Sequence, residues 1–188
     1  MSPFHIMLVD DEESILKSLE RLLRATPCTY NGEVFPLRLE TFTSAKAALE
    51  RMRHTPFDLF LSDYRMPEMT GVDFLKATLE IQPDAARLIL SGYADLNSVI
   101  SAINDAHIYR FLSKPWNDYE LVSAIGQALG YRRLLVENKH LADRVRFEKG
   151  KITAEELERR RLEDLEPGIT QVNWGEDGSV ILDDLDES

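Results

Sequence analysis

A doubly wound α/β fold on a five-stranded parallel sheet is predicted by three observations on this sequence. Short apolar runs recur along its first two thirds. Stretches with apolar residues at helical spacing separate them. Each run ends in polar or turn-forming residues. Short apolar strands alternating with amphipathic helices read as a parallel sheet covered on both faces.

His5 to Val9 is the first strand, and Ser14 to Arg24 follows with Ile15, Leu16, Leu19, Leu22 and Leu23 at helical spacing. Leu37 to Phe42 alternates as a second strand, and Ser44 caps a helix through Ala45, Ala48, Leu49 and Met52. Phe57 to Leu61 is the third strand; Thr70 with Asp73 then opens a capped helix carried by Phe74, Leu75 and Leu79 to Pro83. Arg87 to Leu90 is the fourth strand, followed by a helix opened by Asp95 with Val99, Ile100 and Ile103 apolar. Ile108 to Leu112 is the fifth, and Asn117 with Glu120 caps a helix through Leu121, Ile125 and Leu129. The segment from Thr26 to Pro36 is a long link, expected to be a surface insertion.

The 188 residues suit one domain with an extension, and an apolar content of 44% supports a packed core. The net charge of −11 argues against a general nucleic-acid or anionic-membrane binder. One cysteine, Cys28, excludes an intramolecular disulfide and fits a reducing, cytoplasmic setting. No signal peptide and no stretch of membrane-spanning length is visible.

In such sheets the working site lies outside the carboxyl ends of the strands. The first strand runs into Asp10-Asp11, the third into Asp63, the fourth into Ser91-Gly92 and the fifth into Ser113-Lys114-Pro115. Any one of these acids alone could be a helix cap. Three at one edge need another account, because two carboxylates about 4 Å apart repel by about 4 kcal/mol at an effective dielectric constant of 20. A hard cation among oxygen ligands, magnesium or manganese, relieves that repulsion and leaves room for water and a phosphate oxygen. Lys114 offers that phosphate a second positive charge.

The pieces "LVDDEES", "LSDYRMPEMTG", "ILSGYAD" and "FLSKPW", in this order, resemble the receiver domain of bacterial two-component response regulators, over roughly residues 4 to 131. The stretch "IYRFLSKPW" is most similar to receivers joined to cyclic-dinucleotide phosphodiesterase domains or to enhancer-binding regulators. The resemblance implies a flavodoxin-like sheet of order 2-1-3-4-5. It implies that Asp63 takes a phosphoryl group from a kinase phosphohistidine. Asp11 and Asp63 would bind Mg2+ or Mn2+ directly, Asp10 through water, and the Arg65 carbonyl would complete the set. Lys114 would pair with the phosphoryl group, Ser91 would supply a switching hydroxyl, and Phe111 would change rotamer with it. The Lys114–Pro115 bond would be cis. Ser91 stands where threonine is commoner, and Phe111 where tyrosine is commoner, so Phe111 must signal by packing. The output face would be the fourth helix, fifth strand and fifth helix, with Trp116 and Tyr119; ordinary helix-start packing is the plainer account of those aromatics. The implied partner is a sensor histidine kinase or phosphotransfer protein, and the chain is a phosphoacceptor switch rather than an enzyme.

The organisation expected is a receiver over 1–131, a helical extension over 132–166 and a β-hairpin with an acidic tail over 167–188. Leu134, Asn138, Leu141 and Val145 continue the fifth helix at four-three-four spacing, until Glu148 breaks it. Asn138 is the polar core residue that fixes register in a dimeric coiled coil; packing of the helix back on its own receiver is the alternative. Gly150 stops that helix, and Thr153 with Glu156 caps a second one. Arg132, Arg133, Arg144, Arg146 and Arg159 to Arg161 are read as a solvated face with interleaved acids. Ile169 to Trp174 and Ser179 to Leu182 flank Gly-Glu-Asp-Gly as a small hairpin.

Two other classes fit the sequence less well. Aspartyl phosphatases usually carry two acids separated by one residue after the first strand, whereas Asp10 and Asp11 are adjacent here. A DNA-binding regulator would use the basic helix, against the net charge and without a recognisable motif.

Overall fold

The computed structural model describes residues 2–92 and 106–165. The elements are β1 (Phe4–Val9), α1 (Glu13–Ala25), β2 (Cys28–Tyr30), β3 (Glu33–Phe35), β4 (Leu37–Phe42), α2 (Ala45–Arg53), β5 (Leu59–Asp63), α3 (Gly71–Ile81), β6 (Ala86–Gly92) and β7 (Arg110–Lys114). Two helices close the described chain, which we number α4 (Asp118–Glu148) and α5 (Ala154–Leu165). The helix expected from Asp95 and the hairpin expected over 169–182 lie outside the described residues.

The main sheet is parallel with order β4-β1-β5-β6-β7. This is the expected 2-1-3-4-5 order once the extra pair β2–β3 is counted. Because side chains alternate along a strand, each strand feeds both faces. Ile6 and Leu8 join Leu16, Leu19 and Leu23 of α1 and Leu121, Ile125 and Leu129 of α4 in one core. Met7 and Val9 join Ala48 and Met52 of α2 and Phe74 and Leu75 of α3 in the other. Truncating a fully buried leucine such as Leu8 to alanine would cost about 2–5 kcal/mol.

The side chains of Ser44, Thr70 and Asn117 accept from the backbone N–H three residues on, as the cap patterns predict. Two strands sit two residues later than expected. The third is Leu59–Asp63 rather than Phe57–Leu61, and the fifth is Arg110–Lys114 rather than Ile108–Leu112. The apolar run marks burial, while the ladder marks pairing; Asp63 pairs with Leu90 and Lys114 with Gly92, so both polar residues lie within the ladder.

The segment from Thr26 to Pro36 corrects the expectation of a surface insertion. It forms an antiparallel hairpin, Cys28↔Phe35 to Tyr30↔Glu33, turning at Asn31 and Gly32 with positive φ of 50° and 80°. That Asn-Gly turn matches the twist of a two-residue hairpin. Cys28 and Phe35 are buried in the α1/α4 core. The hairpin rests on α4: a Cβ on Gly126 would come 2.6 Å from the Thr29 carbonyl oxygen, and one on Gly130 would come 2.3 Å from the Tyr30 ring.

α4 runs 31 residues without a break past residue 131. Gly150 takes φ of 64° after its end, and the Thr153 hydroxyl accepts from the Glu156 N–H at the start of α5, as predicted. Arg144, Arg146, Arg159 and Arg161 are exposed as expected, whereas Arg132, Arg133 and Arg160 are half-buried. Arg132 pairs with Asp58 at 2.7 Å, Arg133 with Glu33 at 2.8 Å, and Arg146 and Arg160 with the buried Asp143 at 2.8 and 2.7 Å. Acids of the receiver and of the helical pair lie within reach of these long side chains, which a linear sequence does not reveal. Lys139 also pairs with Asp84 at 2.5 Å, so the base of the extension rests on the receiver. Leu134, Leu141 and Val145 nevertheless stay 50%, 58% and 45% exposed. Among the described residues no helix is long and apolar enough to cross a membrane.

Candidate functional site

Parallel strands deliver their last residues to one edge, and here those residues are acids and a lysine. Asp10 follows β1 directly and continues its ladder, its N–H donating to the Phe42 carbonyl at 3.1 Å. Asp63 and Lys114 are the last residues of β5 and β7. The Lys114 Nζ lies 2.7 Å from Asp10 Oδ2 and 2.5 Å from Asp63 Oδ1. Two carboxylates from separate strands therefore converge on one ammonium. Asp10 is 1% exposed and Asp63 6%.

The remaining carboxylate oxygens are also held. Asp10 Oδ1 accepts from the Glu12 N–H at 2.9 Å, and Asp63 Oδ2 from the Arg65 N–H at 2.7 Å. Burial pushes the Asp10 carboxyl above its ordinary range; the bonds from Lys114 and Glu12 oppose that rise without cancelling it. Burial pulls the Lys114 ammonium down, but its hydrogen bonds to Asp10 and Asp63 outweigh this and hold it above its ordinary value. The directions agree: Asp10 loses more hydration than its partners restore, while Lys114 serves two anions at once.

Ser91 is buried next to Gly92 on β6, its hydroxyl donating to the Gly92 carbonyl at 3.3 Å. It pairs with Ser113, one step past the Asp63↔Leu90 rung. Phe111 is half-buried against the α2/α3 core, three residues before Lys114. The Lys114–Pro115 peptide is cis. Asp11 is exposed beside Asp10. Trp116 packs half-buried on the α1/α4 core, as plain helix-start packing predicts, whereas Tyr119 is 82% exposed.

The sequence reasoning missed the part played by Gly71. Its N–H donates to the Tyr64 carbonyl at 2.8 Å, and a Cβ there would fall 2.0 Å from the Asp63 carbonyl oxygen. The start of α3 thus presses on the backbone of Asp63, and only a glycine permits that approach. The glycine of "EMTG" was the one available signal.

Among the described residues no three His, Cys, Asp or Glu side chains form a ready-made metal cluster. The donor set still suits a hard cation. Two buried carboxylates already meet on one positive charge, the side-chain atoms that would hold a cation are all oxygens, and the exposed Asp11 is next to Asp10 in the chain.

A doubly wound parallel sheet of this strand order defines the flavodoxin-like class, to which chemotaxis-type signalling domains belong. Within that class the profile of the response regulator receiver domain matches residues 6–126, and the chain belongs to that family. It is 36% identical over 124 residues to the hydrogenase transcriptional regulatory protein HoxA of Cupriavidus necator, covering 66% of this chain and 24% of that one. It is 29% identical to the C4-dicarboxylate transport transcriptional regulatory protein DctD of Rhizobium meliloti, covering 72% and 27%. The chain thus spans about a quarter of the length of these curated relatives. Among solved structures, the signal receiver domain of an HD-domain-containing protein from Pseudomonas fluorescens Pf-5 matches with a TM-score of 0.62 at 35% identity, covering 70% of this chain and 98% of that one.

Proposed function

We propose that this chain accepts a phosphoryl group on Asp63 from a histidine kinase or phosphotransfer protein and switches conformation in response. The convergence of Lys114 on both Asp10 and Asp63 carries the reading, because a buried carboxylate beside a positive charge suits a phosphoryl acceptor. Asp63 attacks phosphorus, the P–N bond to the donor imidazole breaks, and an acyl phosphate forms on the carboxylate. Lys114 neutralises charge on the transferring group, and the Arg65 N–H holds the Asp63 carboxylate in place. Asp10, Asp11, Asp63 and the Arg65 carbonyl are the groups that would hold Mg2+ or Mn2+. Bound there, such an ion supplies charge neutralisation for the phosphoryl oxygens.

The modification adds about −1.5 to −2 of charge beside Ser91 and Lys114. The Ser91 hydroxyl turns toward the new acceptors, and Phe111, lacking a hydroxyl, reports the change by repacking. α4 begins three residues after Pro115, so its start feels any movement of Lys114. The exposed seam of Leu134, Leu141 and Val145 with Asn138 suits self-association or a protein partner as the output. The test is phosphotransfer from a labelled phosphohistidine donor to the wild type and to Asp63→Asn, with sizing in magnesium and beryllofluoride. Label on the wild type alone supports the assignment; equal label on Asp63→Asn refutes it. A mass increase with beryllofluoride places the output in self-association, and an unchanged mass rules that output out.

A further inference from the structure

We infer that the β2–β3 hairpin is a bracket that turns a glycine-weakened helix into a rigid connector, so that the receiver and its extension move as one body. The inference stands apart from the phosphorylation chemistry. α4 leaves the receiver core just after Gly126 and Gly130, and a glycine weakens a helix interior and leaves it easier to bend. Two glycines one turn apart, at the point where a 31-residue helix parts from its domain, would by themselves make a hinge.

The hairpin occupies that hinge. Backbone of Thr29 lies against Gly126 and the Tyr30 ring against Gly130, at distances that leave no room for a methyl group. The Cys28 thiol donates to the Val122 carbonyl at 3.8 Å, within reach for sulfur. From the far strand, Glu33 pairs with Arg133 at 2.8 Å, and the Arg133 guanidinium sits 5.1 Å from the centre of the buried Phe35 ring. The helix is therefore gripped on both sides of its weak turn. Arg132–Asp58 beside the grip and Lys139–Asp84 beyond it tie the helix to the receiver base at 2.7 and 2.5 Å. The glycines are there for the hairpin: each exchanges a side chain for close contact with it.

The test measures the spread of distances between nitroxide labels on Lys17→Cys of α1 and Glu148→Cys at the end of α4; Lys17 is exposed, and Cys28 is too buried to take label. A narrow distribution is expected in the otherwise unchanged chain. Tyr30→Ala should broaden it at least twofold, and Arg133→Ala, on the surface side of the grip, should broaden it to a lesser degree. Tyr30→Ala combined with Gly130→Ala should narrow it again, because the lost ring makes room for a methyl group that stiffens the helix. A cooperative thermal transition in each variant shows that the fold is kept. An equally narrow distribution in Tyr30→Ala, or a double variant as broad as Tyr30→Ala alone, overturns the inference.

Discussion

Replacing Lys114 by methionine removes a cation shared by two buried carboxylates. Oxygens of Asp10 and Asp63 lie 2.7 and 2.5 Å from its Nζ, so they are at most about 5 Å apart and would repel by about 3 kcal/mol at an effective dielectric constant of 20. Breaking a buried ion pair by deleting one partner costs about 3–5 kcal/mol in general, which brackets the same figure. The deficit should depend on pH. Burial already pushes the Asp10 carboxyl up, and without Lys114 it rises further. A carboxyl whose folded pKa exceeds its unfolded value takes up a proton on folding, so its penalty is full above the folded pKa and fades on acidification. Urea unfolding of wild type and Lys114→Met in EDTA, at pH 8 and pH 5, measures this. A loss of about 3 kcal/mol at pH 8 that shrinks at pH 5 is expected. A loss under about 1 kcal/mol, or one equal at both pH values, would refute the convergence of the two acids.

Cys28 is buried and its thiol is pushed up to about 11, so alkylation at pH 8 should be slow in the native chain and fast in urea; rapid native labelling would contradict its burial. Gly71→Ala drives a methyl group into the Asp63 carbonyl, and phosphodonor labelling should fall at least tenfold while secondary structure by circular dichroism is retained. Burial opposes ionisation of Asp143, but Arg146 and Arg160 outweigh it and hold the carboxyl below its ordinary value. The clasp between α4 and α5 is therefore complete above about pH 4 and weakens below it, read as a loss of amide-exchange protection in α5 once rates are divided by the intrinsic rate at each pH.

Local rules found the strand ends, because buried runs and cap residues leave their marks within a few positions of chain. Ser44, Thr70, Asn117 and Thr153 cap as their spacing predicts, and Asp10, Asp63 and Lys114 reach one edge because a parallel sheet puts all its carboxyl ends there. The strand limits near Leu59 and Arg110 were displaced because hydrophobicity reports burial and not hydrogen-bond pairing. The hairpin was overlooked despite Asn31-Gly32, since its strands are only three residues long and bury just Cys28 and Phe35. What lay beyond a linear reading was long-range complementarity. Gly126 and Gly130 look like ordinary weak helix positions until Thr29 and Tyr30 are seen against them. Arg132 and Lys139 likewise look solvated until Asp58 and Asp84 appear beneath them.

The proposed switch depends on Asp63 as its nucleophile. Reductive trapping with borohydride after exposure to a phosphohistidine donor and magnesium, followed by peptide mass spectrometry, tests it most directly. Conversion at residue 63, absent when donor is withheld, is the expected result; conversion at Asp10 or Asp11 with residue 63 unaltered would contradict it.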